Sequence, residues 1–168
     1  MLDAELAGWD PATSLAVLRI AGLGLEPPGL SPDPARVGHL ALAVGRSWSN
    51  AVTASAGVVS IIGGPLATGP HRSIEEVLRT TAPMHDGFAG GAFLDAAGRL
   101  LGMTTAAQIR GLGVVIPSRI VWKTAAAVLA MGRPQRGYLG LAGQPVRLPE
   151  VQRGPDGQEQ ALLIVSLT

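Results

Sequence analysis

The chain has no cysteine. That excludes disulfides, thiolate metal sites and cysteine nucleophiles, and leaves the redox compartment open. Aromatic residues are scarce, with three tryptophans, one tyrosine and two phenylalanines, too few for a base-stacking surface. Charge of one sign is also lacking: the formal net charge is +1, so nothing electrostatic points to nucleic acid or an anionic membrane. No apolar run approaches the ~20 residues of a membrane-spanning helix. The opening Met1-Leu2-Asp3-Ala4-Glu5 has neither the basic start nor the apolar stretch of a secretory signal. Read as it stands, the sequence predicts a soluble chain that stays in the cytoplasm. Charged residues make up only 15% of the chain and apolar ones 47%, which argues for one domain, or a domain plus a fragment, around a substantial core. Glycine, at 23 residues, and proline, at 13, are plentiful.

Those glycines and prolines punctuate a series of short apolar runs. Leu15 to Ile20, Leu40 to Val44 and Val52 to Ile62 read as strands, the last two separated by a polar turn at Arg46 to Asn50. Gly22 to Asp33 and Gly63 to Arg72 read as loops. Ser73 to Leu78 is expected to hold a single helical turn, and Leu78 to Thr81 a short strand. Ala92 to Asp95 and Leu100 to Ala106 flank a hairpin signal at Ala96-Ala97-Gly98-Arg99. Gly113 to Ile116 is a further strand, ended by Pro117. Ser118 to Met131 reads as the one helix, capped by Ser118, apolar at Ile120, Ala125, Val128 and Leu129, and stopped by Gly132 and Pro134. Short strands at regular spacing with one late helix predict an all-β barrel closed by a helix. Nothing in the pattern calls for a metal or a cofactor.

The most informative stretch is Gly87-Phe88-Ala89-Gly90-Gly91. On its own such a cluster marks a turn and a close backbone approach beside a strand. Its neighbours add to it. Thr13-Ser14-Leu15-Ala16-Val17-Leu18 comes first, then the two strands above, then the glycine cluster, Gly98 to Met103, Gly113 to Ser118 and Arg136-Gly137-Tyr138-Leu139-Gly140-Leu141. In order and spacing this series resembles the HtrA/Deg family of trypsin-like serine proteases over nearly the whole chain. The resemblance implies a chymotrypsin/trypsin-like double β-barrel. Residues 1–20 would be the remnant of a largely missing first barrel, 36–133 the second barrel with its C-terminal helix, and 134–168 a linker and the start of a PDZ domain.

Such proteases work with a histidine base, an aspartate that orients it and a serine nucleophile. The family reads Gly-x-Ser-Gly-Gly where this chain has Ala89, and Ser/Thr-Asp-Leu-Ala-Val-Leu where it has Ser14. A methyl group cannot attack a carbonyl. Asp10 lies four residues before Ser14 in a turn-forming Asp-Pro pair and stays open as a displaced substitute. The base belongs upstream, where little chain exists. His39, His71 and His85 all come later, and His85 is expected at the binding rim. The chain is therefore expected to be catalytically inactive as written. The resemblance further implies an oxyanion hole from the N–H groups of Gly87 and Ala89, and a substrate-binding strand with Gly113, Val114 and Val115 that pairs with substrate backbone. Tyr138, Leu139, Gly140 and Leu141 would form a PDZ carboxylate-binding loop.

The implied partners are peptides or unfolded protein segments, and a second copy or another chain that completes the barrel. No nucleic acid is implied. The family also implies a periplasmic or cell-envelope setting. Three readings stay open: a degenerate HtrA-like domain, either a pseudoprotease or a fragment; a genuine protein-quality-control protease, truncated and inactivated by serine-to-alanine exchange; and a non-protease all-β interaction module whose glycines only make a turn.

Overall fold

The computed structural model describes residues 2–46, 50–132, 141–154 and 157–167. The chain divides into two compact units, Met1–Pro134 and Gln135–Thr168. The first opens with a hairpin of β1 (Glu5–Asp10) and β2 (Leu15–Arg19). A long stretch with little regular structure then leads to β3 (Leu40–Arg46) and β4 (Val52–Gly63). After the short hairpin of β5 (Leu66–Gly69) and β6 (Arg72–Ile74) come β7 (Val77–Thr80), β8 (Ala92–Asp95), β9 (Leu100–Ile109) and β10 (Leu112–Pro117), followed by the helix α1 (Ser118–Met131). Six of these strands close a barrel in the order β10-β7-β4-β3-β8-β9. No helix among the described residues is long and apolar enough to cross a membrane.

The barrel follows from period-two patterning. In β3, Ala41 and Ala43 are buried while Leu40 and Leu42 face out. Small side chains suit that inner face because Phe88 and Phe93 fill the interior with Val59, Leu78, Leu101 and Val115. β4 serves two neighbours. Val52 to Val58 pair with β3, and Val59 to Gly63 with β7, with a register shift between Val59 and Ile61. One long strand thus turns a barrel corner, and an irregularity of this kind increases local twist. β9 and β10 are joined by Arg110 and Gly111, at φ 52° and 76°, the two positive values of a tight hairpin turn.

A second apolar cluster lies outside the barrel. Ile74, Val77, Val114, Ile116 and Ile120 pack there with Leu15 and Leu66. It explains two departures from the sequence reading. Gly63 to Arg72 is not simply a loop, because β5 and β6 form a hairpin within and just beyond it that brings Leu66 and Ile74 to this cluster. Ser73 to Leu78 holds no helical turn. Ile74 and Val77 both reach the cluster from extended chain. The helix also starts differently. Pro117, with φ −56° and ψ 143°, takes the cap position without a side-chain bond, and Ser118 is the first helical residue. The buried face of α1 is Ile120, Thr124 and Val128, with Leu129 exposed, and Gly132 ends it in the left-handed region.

The second unit pairs β11 (Leu141–Arg147) antiparallel with β12 (Gln160–Leu167). Leu162, Leu163, Ile164 and Val165 are all exposed on β12.

Candidate functional site

The glycine loop leaves β7 and enters β8 through one tight 3-10 turn, Asp86–Phe88. Phe88 anchors it in the barrel core. Gly90 has φ 77°, which favours glycine. Gly91 has no room for a side chain, since a Cβ there would lie 2.2 Å from the Val44 carbonyl oxygen. β9 clamps the loop through one residue. Thr104 donates its N–H to the Gly91 carbonyl (2.9 Å) and accepts the Gly90 N–H (2.9 Å). Its hydroxyl faces the carbonyl oxygens of Phe88 and, at 3.0 Å, Gly91. Thr104 is 1% exposed. Nothing in the sequence reading singled it out.

Across from the loop, the turn between β1 and β2 is built on Asp10. Its carboxylate is buried and accepts the N–H groups of Ala12 (3.3 Å) and Thr13 (3.0 Å) and the Thr13 hydroxyl (2.8 Å). Ser14 donates its N–H to the Asp10 carbonyl (2.8 Å) and sits at φ 59°. Asp10 is thus a turn-forming residue in this structure.

Loop and turn face each other across a cleft of about 530 Å³. Ser14 and Ala89 both line it, as do Thr104 and Val114. The sequence-expected aspartate and nucleophile positions therefore share one site. Among the described residues its lining is hydrocarbon, backbone, the Met103 thioether and the hydroxyls of Thr13, Ser14, Thr68, Thr104 and Thr105; none of these residues is titratable. None of the three histidines is among them. His39 pairs with Arg36 (3.1 Å) before β3, and His71 lies in the β5–β6 turn. His85 stands on the glycine loop, exposed, with its ring edge-on to Phe88 at 4.9 Å between centroids. Acid–base chemistry requires a proton carrier within hydrogen-bond reach of the reacting atom, and the described residues lining this cleft include none.

The remaining expected positions are distributed differently. Of Gly113, Val114 and Val115, only Val114 lines the cleft. Val115 points into the barrel core, because neighbouring strand residues face opposite sides. Gly113 makes room for Met84, whose Cε lies 2.1 Å from where a Cβ would be. β10 is paired with β7 throughout Gly113 to Val115, and with β9 at Gly113 and Val115, where the register shifts and leaves Val114 without a β9 partner. β2 and β5 border the cleft with one edge unpaired, and so does β9. Its pairing with β8 ends at Met103, and Thr105, Ala106 and Ala107 continue along the cleft wall. The two expected oxyanion-hole donors are engaged within the loop. Gly87 donates its N–H to His85 Nδ1 (3.0 Å) and Ala89 to the Asp86 carbonyl (3.0 Å), because the 3-10 turn directs both inward. Tyr138, Leu139 and Gly140 lie outside the described residues, and Leu141 begins β11.

Comparison with known proteins agrees with this geometry. The family described as "Trypsin-like peptidase domain" matches residues 1–103. Serine endoprotease DegS of Escherichia coli K12 is 30% identical over 98% of this chain and 48% of its own length. The periplasmic pH-dependent serine endoprotease DegQ of the same strain is 33% identical over 84% of this chain and 32% of its own. Among solved structures, the HtrA-type protease AlgW with a decapeptide superposes with a TM-score of 0.80 at 28% identity, covering 98% of this chain and 52% of that one. A serine endoprotease from Yersinia pestis gives 0.70 at 30% identity, over 84% and 50%. The chain spans about half the length of the DegS relatives it matches. With the closed barrel, the glycine loop and the cleft between loop and turn, these likenesses place the chain in the trypsin-like serine protease family, among its HtrA/Deg-type members.

Proposed function

We propose that this chain is a degenerate HtrA-like protease domain that holds extended peptide in its cleft and does not cleave it. The observation that carries the reading is the cleft itself. The nucleophile and aspartate positions meet there as Ala89 and Ser14, among residues of which none can take or give a proton near neutrality. The triad acts as a unit, so a cleft with Ala89 and Ser14 at two of its positions keeps only the modest residual help of binding and oxyanion contacts. Binding needs none of those groups. The open edge of β9 beside Val114 suits an added strand, and AlgW, an HtrA-type relative in structure, was solved with a decapeptide.

The test has two arms. The chain is incubated with an unfolded protein substrate, and a photo-crosslinking apolar peptide is mapped on it. No hydrolysis with crosslinks at Thr105 to Ala107 or Val114 is expected. Hydrolysis above background overturns the inactive reading and favours a genuine protease. Crosslinks elsewhere, or none, favour an interaction module unrelated to the cleft. Ala89→Ser alone is expected to stay inactive, since no described residue lining the cleft can serve as the base.

The same reading covers assembly. Leu6, Trp9 and Leu18 on the β1–β2 hairpin are each more than half exposed, and the hairpin is a sheet of two strands only. Such open edges attract further strands. We propose that a second copy or another polypeptide adds strands there. Light scattering of the purified chain should then show a mass above that of one copy, or a rise when a partner is present.

A further inference from the structure

A groove of about 460 Å³ opens at the far end of β8 from the glycine loop. It shares no lining residue with the cleft. One wall is the stretch before β3, with Asp33, Arg36 and His39; the other is the β8–β9 turn, with Asp95 and Arg99. Main-chain bonds hold both walls. Leu100 donates its N–H to the Gly29 carbonyl (2.8 Å) and accepts that of Ser31 (3.2 Å), which ties the first wall to the second. The His39 N–H closes a turn onto the Arg36 carbonyl (3.1 Å). Asp95 shapes the β8–β9 turn through the N–H groups it accepts from Ala97 and Arg99.

The groove is rich in donors and short of acceptors. Arg36 directs two N–H groups at one half-buried imidazole: its main-chain N–H at His39 Nδ1 (3.3 Å) and its Nε–H at Nε2 (3.1 Å). A neutral imidazole has an acceptor lone pair on one nitrogen only, and its cation has none. One of the two Arg36 N–H groups therefore always meets another N–H. Across the groove, Arg99 gives its Nε–H to Asp95 Oδ2 (3.0 Å), so both Asp95 oxygens are taken. Among the described residues neither guanidinium has a further partner, and both keep their terminal amino groups for a ligand. We infer that this groove binds a phosphoryl group, as inorganic phosphate or as a phosphate monoester. A phosphoryl group brings three strong acceptor oxygens, which serve two arginine forks and the N–H left over at His39; a carboxylate brings only two oxygens. Guanidinium forks match phosphate in charge and in geometry. The groove is larger than a phosphoryl group, which leaves space for the organic part of an ester. Asp33, exposed on the first wall, opposes any anion. The site stands apart from the peptide reading of the cleft and does not depend on it.

The test titrates the full chain with sodium phosphate, phenyl phosphate and sodium benzoate at one ionic strength, held with sodium chloride, and follows main-chain amides by proton–nitrogen NMR. Saturating shifts at Gly38, Ala96, Ala97 and Arg99 are expected with both phosphates and not with benzoate, while Thr105 to Ala107 at the cleft stay still. Tighter binding of phenyl phosphate assigns the site to esters; equal or tighter binding of the free ion assigns it to inorganic phosphate. Arg36→Gln should weaken phosphate binding about tenfold, the scale of one hydrogen bond to a charged group. Arg99→Gln should weaken it further, because it also releases the Asp95 charge into the groove. Asp33→Asn removes the opposing charge and should tighten binding. Melting curves of the variants tell lost binding from lost fold. The absence of a saturating shift with either phosphate overturns the inference. So does an equal response to benzoate, which would mean screening of loose surface charge, and so does unchanged affinity in both arginine variants when they are folded. Asp33→Asn keeps every donor in place, so it decides the matter where an arginine variant unfolds: weaker binding there also overturns the site.

Discussion

The six-stranded barrel and the β1–β2 hairpin are both built from short strands rich in apolar residues, and the cleft takes a wall from each. The barrel closes on itself, and Ala43, Val59, Phe93 and Val115 inside it are fully buried. The hairpin joins two strands and stops, and leaves Leu6 facing Leu18 across the ladder with both largely in water. What separates them is closure, not composition. Closure wraps the inner faces of the strands around one shared interior; a two-stranded ribbon leaves its outer edges unpaired and has no second sheet to cover its outer face. The cleft thus has one wall from the closed barrel, the glycine loop clamped by Thr104, and one wall from the hairpin, anchored by the Asp10-centred turn and by Leu15 in the second apolar cluster.

That contrast is breakable at several points. Phe93→Ala should cost about 3–5 kcal/mol, the range for deleting a buried aromatic, and denaturant unfolding would show it. Leu18→Ser on the hairpin should change stability by under about 0.5 kcal/mol, as exposed substitutions do. A comparable loss at Leu18 would mean that the hairpin is covered in solution and that the contrast is wrong. Asp10→Ala comes next. It strands the Thr13 N–H and hydroxyl in a buried turn, at about 1–3 kcal/mol, and hydrogen exchange should rise at 12–15 while the barrel amides stay protected. Thr104→Val should cost only about 1 kcal/mol, because the Phe88 and Gly91 carbonyls keep their backbone donors, Gly91 N–H and Thr104 N–H. Its mark should instead be a loosened loop, seen as faster exchange at Gly90.

These residues also show what the sequence could disclose. The glycine loop was legible because Gly90 and Gly91 answer to backbone demands that no other residue meets, and their spacing places Ala89 on the cleft. The order of strands was legible for the same reason that the barrel forms: alternation marks faces. Thr104 was not, because its importance depends on barrel closure bringing β9 against a loop thirteen to sixteen residues earlier. The run Val114-Val115-Ile116 concealed its facing, since an unbroken apolar run gives no alternation to tell the cleft residue from the core residue. The β5–β6 hairpin was hidden behind glycine and proline, which mark turns but do not show that the residues between them pair. Ser118 looked like a cap until Pro117 took that position.

The smallest effect tests a turn within the closed barrel, between β8 and β9. Asp95 accepts the N–H groups of Arg99 and Ala97 (2.9 Å each) and pairs with the Arg99 side chain (3.0 Å). The Arg99 backbone N–H first, then that of Ala97 and the Arg99 guanidinium, hold its carboxyl below the ordinary carboxylate value. An acid whose pKa is lowered by folding stabilises the fold above its unfolded pKa, near 3.9 for aspartate, and that contribution disappears as pH falls through the lowered folded value. Asp95→Asn should therefore melt slightly below the parent at pH 7, and the two curves should converge as pH drops below about 4. Asp95 is only partly buried and its Arg99 partner is exposed, so the gap should be small and should shrink further in high salt. A gap that persists unchanged at pH 2 would mean that the turn is held by shape alone, and that Asp95 contributes through its hydrogen-bonding outline, which asparagine only partly reproduces, and not through its charge.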